Sequence, residues 1–118
     1  MSKKFSNLEA WKSAKELSLL MYRITDHYPS KEQFAITSQT TRAAVSIAAN
    51  IAEGSSRSSS KDFAHFLEIA IGSAFELETL VEIAFDLKYI SNENKTEFDT
   101  QIDKVLKLTF GLKRKLYE

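Results

Sequence analysis

No cysteine occurs in the 118 residues, so disulfides, thiolate metal sites and cysteine nucleophiles are all excluded. One proline and three glycines leave few points at which a helix must stop. No apolar run approaches the roughly 18 residues of a membrane span. The opening "MSKKFSNLEAWKSAKEL" carries charges where a secretory leader needs an unbroken apolar segment. A soluble cytoplasmic chain with no membrane partner is therefore expected. Net charge is missing too: sixteen Lys and Arg balance sixteen Asp and Glu, so bulk charge gives no reason to expect nucleic acid. The length suits a single domain over 1–118, large enough to bury a core without staples.

What the breaks leave is four long segments with helical periodicity and no competing β alternation. Ser6 and Glu9 have the spacing of a capping box that opens a first helix, with Leu8, Trp11, Ala14, Leu17, Met21, Ile24 and Tyr28 along one face; Pro29 ends it. Ser30 and Gln33 repeat the capping pattern and predict a second helix to Ala52 or Glu53, with Gly54 in the left-handed conformation at its end. After "SSRSSS" a third helix is expected from about Ser60 to Tyr89, with Asp62 in its positive first turn. Ser91 or Asn92 caps a fourth, lined by Phe98, Ile102, Val105, Thr109, Leu112 and Leu116. Short connections make neighbours antiparallel, so the expected fold is all-α, an antiparallel up-down-up-down four-helix bundle.

Two helices hold more apolar surface than a lone bundle needs. At about 100° per residue, the third helix has one stripe through Phe63, Leu67, Ala74 and Val81 and another through Ile69, Leu80, Ile83 and Leu87, an arc of roughly 200°. Ile71 and Phe75 fall on what remains. Such a surplus is best covered by another copy of the chain, which makes Ile69, Ile71, Phe75 and Ile83 candidates for a subunit interface. Gly72, in mid-helix, would permit close backbone approach. Arg42, Ser46, Asn50 and Glu53 recur at spacings of four, four and three on the second helix. With Ser73 and Glu76 of the third they are expected to form a polar seam. In it Arg42 would pair with Glu76, within the subunit or across its interface, and Glu53 would accept from free N–H groups at the start of the third helix.

Catalytic chemistry finds little support. No nucleophile has an adjacent base, "EGSSRS" lacks the GxxxxGK[ST] phosphate loop, and Asp62-x-x-His65 has the spacing of half a di-iron pair without the second half. No enzyme, catalytic residue, metal or cofactor is expected. A carboxylate–metal bundle enzyme is the remote alternative.

"RAAVSIAANIAEGSSR", followed by "DFAHFLEIAIGSAFELET" and "LKYI", strongly resembles the family of small four-helix-bundle proteins encoded in intervening sequences of bacterial large-subunit ribosomal RNA genes. The accessory protein of diversity-generating retroelements is similar to that family. The resemblance implies an up-down bundle that assembles into a ring, typically a homopentamer, without enzymatic activity. For the retroelement relative it implies binding of nucleic acid and a reverse transcriptase through a basic barrel. The shared positions it carries onto this chain are Arg42, Ser46, Asn50, Glu53, Gly54, Arg57, Gly72, Ser73, Glu76 and Glu78. Ile71 stands where many relatives have a basic residue, and Lys88 replaces a common glycine before Tyr-Ile.

The antiparallel order also segregates charge. The half of the bundle holding both termini and the serine loop has ten basic and six acidic residues, and the other half the reverse. Lys3, Lys4, Arg57, Lys61, Lys113, Arg114 and Lys115 would form a basic rim able to meet phosphate. The function expected is a homo-oligomeric scaffold, a pentamer by resemblance, associated with RNA, DNA or a nucleic-acid-processing protein. A purely structural oligomer is the alternative.

Overall fold

The computed structural model describes residues 4–117. Four helices follow in chain order: α1 (Glu9–Thr25), α2 (Ile36–Ser55), α3 (Ser60–Asp86) and α4 (Asn92–Lys115), with short 3-10 turns at Lys4–Asn7 and Ser30–Glu32. No strand occurs among the described residues. Each helix packs on its two neighbours, α1 on α2 and α4, α3 on α2 and α4, and no diagonal pair meets, which defines a square up-down-up-down bundle. Its long axis of 43 Å is set by α3, whose 27 residues span about 40 Å at 1.5 Å each.

All four helices contribute to one core: Leu17, Met21 and Ile24 from α1, Ile47 and Ile51 from α2, Leu67, Leu77 and Val81 from α3, Phe98 and Val105 from α4. Between these large side chains sit Ala14, Ala44, Ala70, Ala74 and Ala84, which let the helices approach closely. Four serine and threonine residues are buried in this interior, and each hydroxyl donates to a carbonyl one turn back: Ser13 to Ala10 at 2.9 Å, Thr25 to Met21 at 2.8 Å, Thr40 to Ile36 at 2.6 Å, Thr109 to Val105 at 2.7 Å. Burial without a partner would cost about 1–3 kcal/mol per group, so local satisfaction is what makes them tolerable. The Tyr28 hydroxyl has no such partner, and burial pushes its pKa up to about 12.

Helix starts differ from expectation where tertiary packing takes over. α1 begins only at Glu9, so Leu8 and not Ser6 stands at its N-cap position. Phe5 stacks edge-on against Trp11 at 5.1 Å, and this contact carries the chain through a 3-10 turn before the helix begins. Ser30 likewise opens only a 3-10 turn. Glu32 there accepts a 2.8 Å hydrogen bond from the Tyr89 hydroxyl, a tie to the turn after α3; α2 begins only at Ile36, and Phe34 is left 90% exposed. The other two caps form as the sequence predicts in kind: Ser59 and Ser91 accept from the backbone N–H groups of Asp62 and Asn94, each at 3.1 Å.

At the end of α3 the N–H of Lys88 bonds to Phe85 and that of Tyr89 to Ala84, both at 2.9 Å. This is the reciprocal pair of a Schellman cap, which requires a left-handed residue, and Lys88 supplies it at φ 67°. A β-carbon there costs about 1–2 kcal/mol, part of which glycine returns as unfolded-chain entropy. Lys88→Gly is therefore expected to raise the unfolding free energy by about 1 kcal/mol, measured as a higher urea midpoint at unchanged slope.

Candidate functional site

The polar seam lies where α2 meets α3, and its middle is as expected. The Ser46 and Ser73 hydroxyls meet at 2.8 Å, and the Asn50 amide donates to the Ser46 carbonyl at 2.8 Å and hydroxyl at 3.0 Å. Three half-buried polar groups thus satisfy one another, which fixes the rotation of α2 on α3 and sets Ser46 level with Ser73.

Its two ends differ. Arg42 and Glu76 are both exposed and do not pair with each other inside the subunit, so of the two pairings expected only the one across a subunit interface remains open. Glu53 does not serve the start of α3. It accepts from Arg57 at 2.6 Å, one helical turn on, while that guanidinium lies 4.6 Å from the centre of the Phe66 ring. The aromatic face holds Arg57 over α3 and so keeps it within reach of Glu53.

Gly54 explains why the turn between α2 and α3 is so tight. It stays helical and buried, without the left-handed conformation expected of it. A Cβ at this position would stand 2.9 Å from both Phe63 Cδ1 and Phe66 Cβ. The glycine is needed for close approach, not for turn geometry. "NIAEGSSR" is consequently a corner-packing motif in this chain.

The outer face of α3 carries the expected interface residues with one exception. Phe75 is 51% exposed, Ile83 47% and Ile69 40%. Ile71 is not on this face: it is only 8% exposed and is already covered within the chain. Gly72 lies exposed between these residues, and a Cβ there would meet nothing within 4 Å, so the close approach expected at Gly72 is not made inside the subunit.

The basic rim is thinner than the sequence suggests. Lys3 lies outside the described residues, as does the side chain of Lys4. Lys113 pairs with Glu68 at 3.2 Å and Arg57 with Glu53, which leaves Lys61, Arg114 and Lys115 as the rim cations without an acidic partner among the described residues.

Two surfaces escaped the sequence reading. On α1 and α2, Tyr22 (54% exposed) and Val45 (43% exposed) stand outward beside the contact in which Ser18 donates to the Ala44 carbonyl at 3.1 Å. Between α3 and α4 a groove is lined by Glu78, Asp99, Asp103, Thr96 and Leu106. Burial, then the charges of Asp99, Glu82 and Asp103, push the Glu78 pKa up, against the lowering effect of Lys95. Lys95 bridges the two helices, 2.8 Å from Glu82 and from Asp99. Burial opposes its charge, but those bonds outweigh it and hold its pKa up. The signal available in the sequence was the run Glu76, Glu78, Glu82 and Asp86 facing Asp99 and Asp103 across an antiparallel pair. No three His, Asp or Glu side chains converge as metal donors among the described residues, and no helix there is long and apolar enough to cross a membrane.

The corner packing is directly testable. Gly54→Ala forces Phe63 and Phe66 to give way and is expected to cost about 1–3 kcal/mol of unfolding free energy, as overpacked cores do. A variant that unfolds at the wild-type urea midpoint would contradict the close packing.

Comparison with known proteins places this architecture. The chain matches the family model of the 23S rRNA-intervening sequence protein over residues 6–111, which takes in all of α1 to α3 and most of α4. No curated protein matches it. Among solved structures it is similar to a protein of unknown function from the S23 ribosomal protein family of Bacteroides thetaiotaomicron VPI-5482, with a TM-score of 0.81 and 24% identity over 89% of this chain and 95% of that one. That likeness extends to the fold. Taken with the four-helix bundle and the "NIAEG" corner, the family match is decisive: the chain belongs to the 23S rRNA-intervening sequence protein family.

Proposed function

We propose that the chain is the subunit of a noncatalytic homo-oligomeric scaffold, a pentamer by family resemblance, whose basic end meets nucleic acid or a nucleic-acid-processing partner. The observation that carries this reading is the outer face of α3, where Ile69, Phe75 and Ile83 stand exposed around Gly72, whose missing side chain makes room for nothing inside the subunit. Glycine in mid-helix costs about 1 kcal/mol relative to alanine, and that cost is offset only if something packs against it. Full burial of a Phe or Ile side chain contributes roughly 1.5–3 kcal/mol. Several such residues in each contact offset an association cost of about 4–15 kcal/mol.

The second part of the reading rests on Lys61, Arg114 and Lys115 at one end of the bundle. Repeated around an assembly, these cations would make a ring of positive potential with no carboxylate among the described residues paired to them.

The wild-type chain should sediment as several subunits at micromolar concentration. Phe75→Asp should sediment as a monomer with an unchanged helical circular dichroism spectrum. A well-folded wild-type monomer would end the scaffold reading.

Binding of single-stranded RNA or duplex DNA should weaken about tenfold or more between 50 and 200 mM salt. It should fall when Lys61, Arg114 and Lys115 are changed together to Gln, and much less for Lys113→Gln, whose ammonium is already held by Glu68. Binding that ignores salt, or none at 50 mM, would leave a purely structural oligomer.

A further inference from the structure

The basic end of the bundle also exposes two aromatic rings, and they stand among its cations. Phe110, near the end of α4, is 38% exposed, and Tyr117, just past it, is 67% exposed. The N–H of Tyr117 bonds to the Arg114 carbonyl at 3.1 Å, so the chain is still coiled there. Phe110, Arg114 and Tyr117, spaced by four and three residues, therefore share one face of the helix, on a side from which Val105 and Thr109 turn away into the core. Neither ring stacks on another ring or on a cation among the described residues.

The charges along this stretch are unequal. Lys107 is held by Asp103 at 2.9 Å and Lys113 by Glu68 at 3.2 Å, whereas Arg114 and Lys115 have no acidic partner among the described residues. The Arg114 guanidinium lies back along α4, with one nitrogen 3.8 Å from where a Cβ of Gly111 would stand. Its planar group thus rests over bare backbone in the turn between the two rings. From Phe110 to Tyr117 the helix rises about 10 Å, the length of three stacked nucleotides at about 3.4 Å each.

Exposed rings interleaved with unpaired cations suit a polymer that offers flat apolar faces and phosphates together. A single strand does so, whereas a duplex hides its base faces in its own stack. A protein partner covering the two rings would have to bury the Arg114 charge that lies between them, and charged groups are depleted from the cores of such contacts. We infer that the end of α4 is a platform for single-stranded nucleic acid, on which unpaired bases stack on Phe110 and Tyr117 while Arg114 and Lys115 meet the phosphates. This inference rests on the nucleic-acid part of the reading above and adds the state of the strand and the place of its bases.

A single-stranded DNA oligomer, its duplex and an abasic strand of the same length separate bases from charge, because the abasic strand keeps the phosphates and lacks the rings. The wild-type chain should bind the intact single strand at least about fivefold more tightly than the abasic one, the least that one stacked base contributes. Phe110→Leu with Tyr117→Leu keeps aliphatic bulk and removes both rings. It should abolish that preference while leaving the affinity for the abasic strand and for the duplex unchanged, which also shows that the variant is folded. Tyr117→Phe should retain the preference. If none of the three oligomers binds at 50 mM salt, the nucleic-acid part of the reading and this inference fall together. Equal binding of the intact and abasic strands by the wild-type chain, or a preference that survives the loss of both rings, would overturn the stacking platform alone.

Discussion

The close approach of α2 to α3 is the constraint on which the rest of the bundle depends. At one end Gly54 lets the backbone of α2 come within van der Waals reach of Phe63 and Phe66, and in the middle Ser46, Ser73 and Asn50 lock the rotation of the pair. Neither device contributes much free energy by itself. A half-buried hydroxyl pair is worth about 1 kcal/mol, and a glycine contributes only by what it does not exclude. Together they fix which residues of α3 face the core and which face out. With Ser73 held toward α2, the helical period turns Leu77, Val81 and Ala74 inward and leaves Gly72, Phe75 and Ile83 on the outside. The exposed apolar surface is thus a consequence of a polar contact, and loosening the seam would let α3 roll and bury what the scaffold needs outside.

The same rotation governs the charges. An α3 held in this setting points Glu78 and Glu82 at α4, where Lys95 is caught between Glu82 and Asp99. Exposed ion pairs of this type are worth little each, and the stabilisation of the α3–α4 contact comes mostly from Phe98, Ile102 and Val105 beneath them. What the carboxylates do set is the sign of the face. The serine loop and the end of α4 add a region of positive charge at one end of the bundle. A chain with zero net charge therefore presents surfaces of opposite sign.

Much of this was legible in the sequence, and the parts that were not share a cause. The four helices, their antiparallel order and the large core residues follow from periodicity and from the positions of Pro29, "SSRSSS" and "ISNEN", because those signals are local. Helix beginnings failed at Ser6 and Ser30, where Phe5 on Trp11 and Tyr89 on Glu32 override capping spacing. A helical wheel for α3 alone sets Ile71 on the outer face, but in the bundle it is only 8% exposed, because neighbouring helices cover a wider arc than the wheel assigns them. At Gly54 the commonest role of a glycine at a helix end gives way to a close approach to two phenylalanines across the corner. Arg42 and Glu76 share a height, as the spacing says, but height along a bundle does not fix the direction in which a side chain leaves it.

The connection between α2 and α3, residues 56–59, has a consequence for how the molecule comes into being. Only four residues separate the two helices that pack most extensively, so closing this hairpin sacrifices little chain entropy. The contacts are near in sequence, and topologies of this kind fold in microseconds to milliseconds. α2 and α3 are therefore placed to meet before α1 and α4 complete the square. In a nascent chain the hairpin precedes α4 out of the ribosome, and its apolar inner face is then half covered by α1 alone. The order of emergence makes α4 the element whose arrival closes the core and completes the acidic groove, to which it brings Asp99, Asp103 and Leu106.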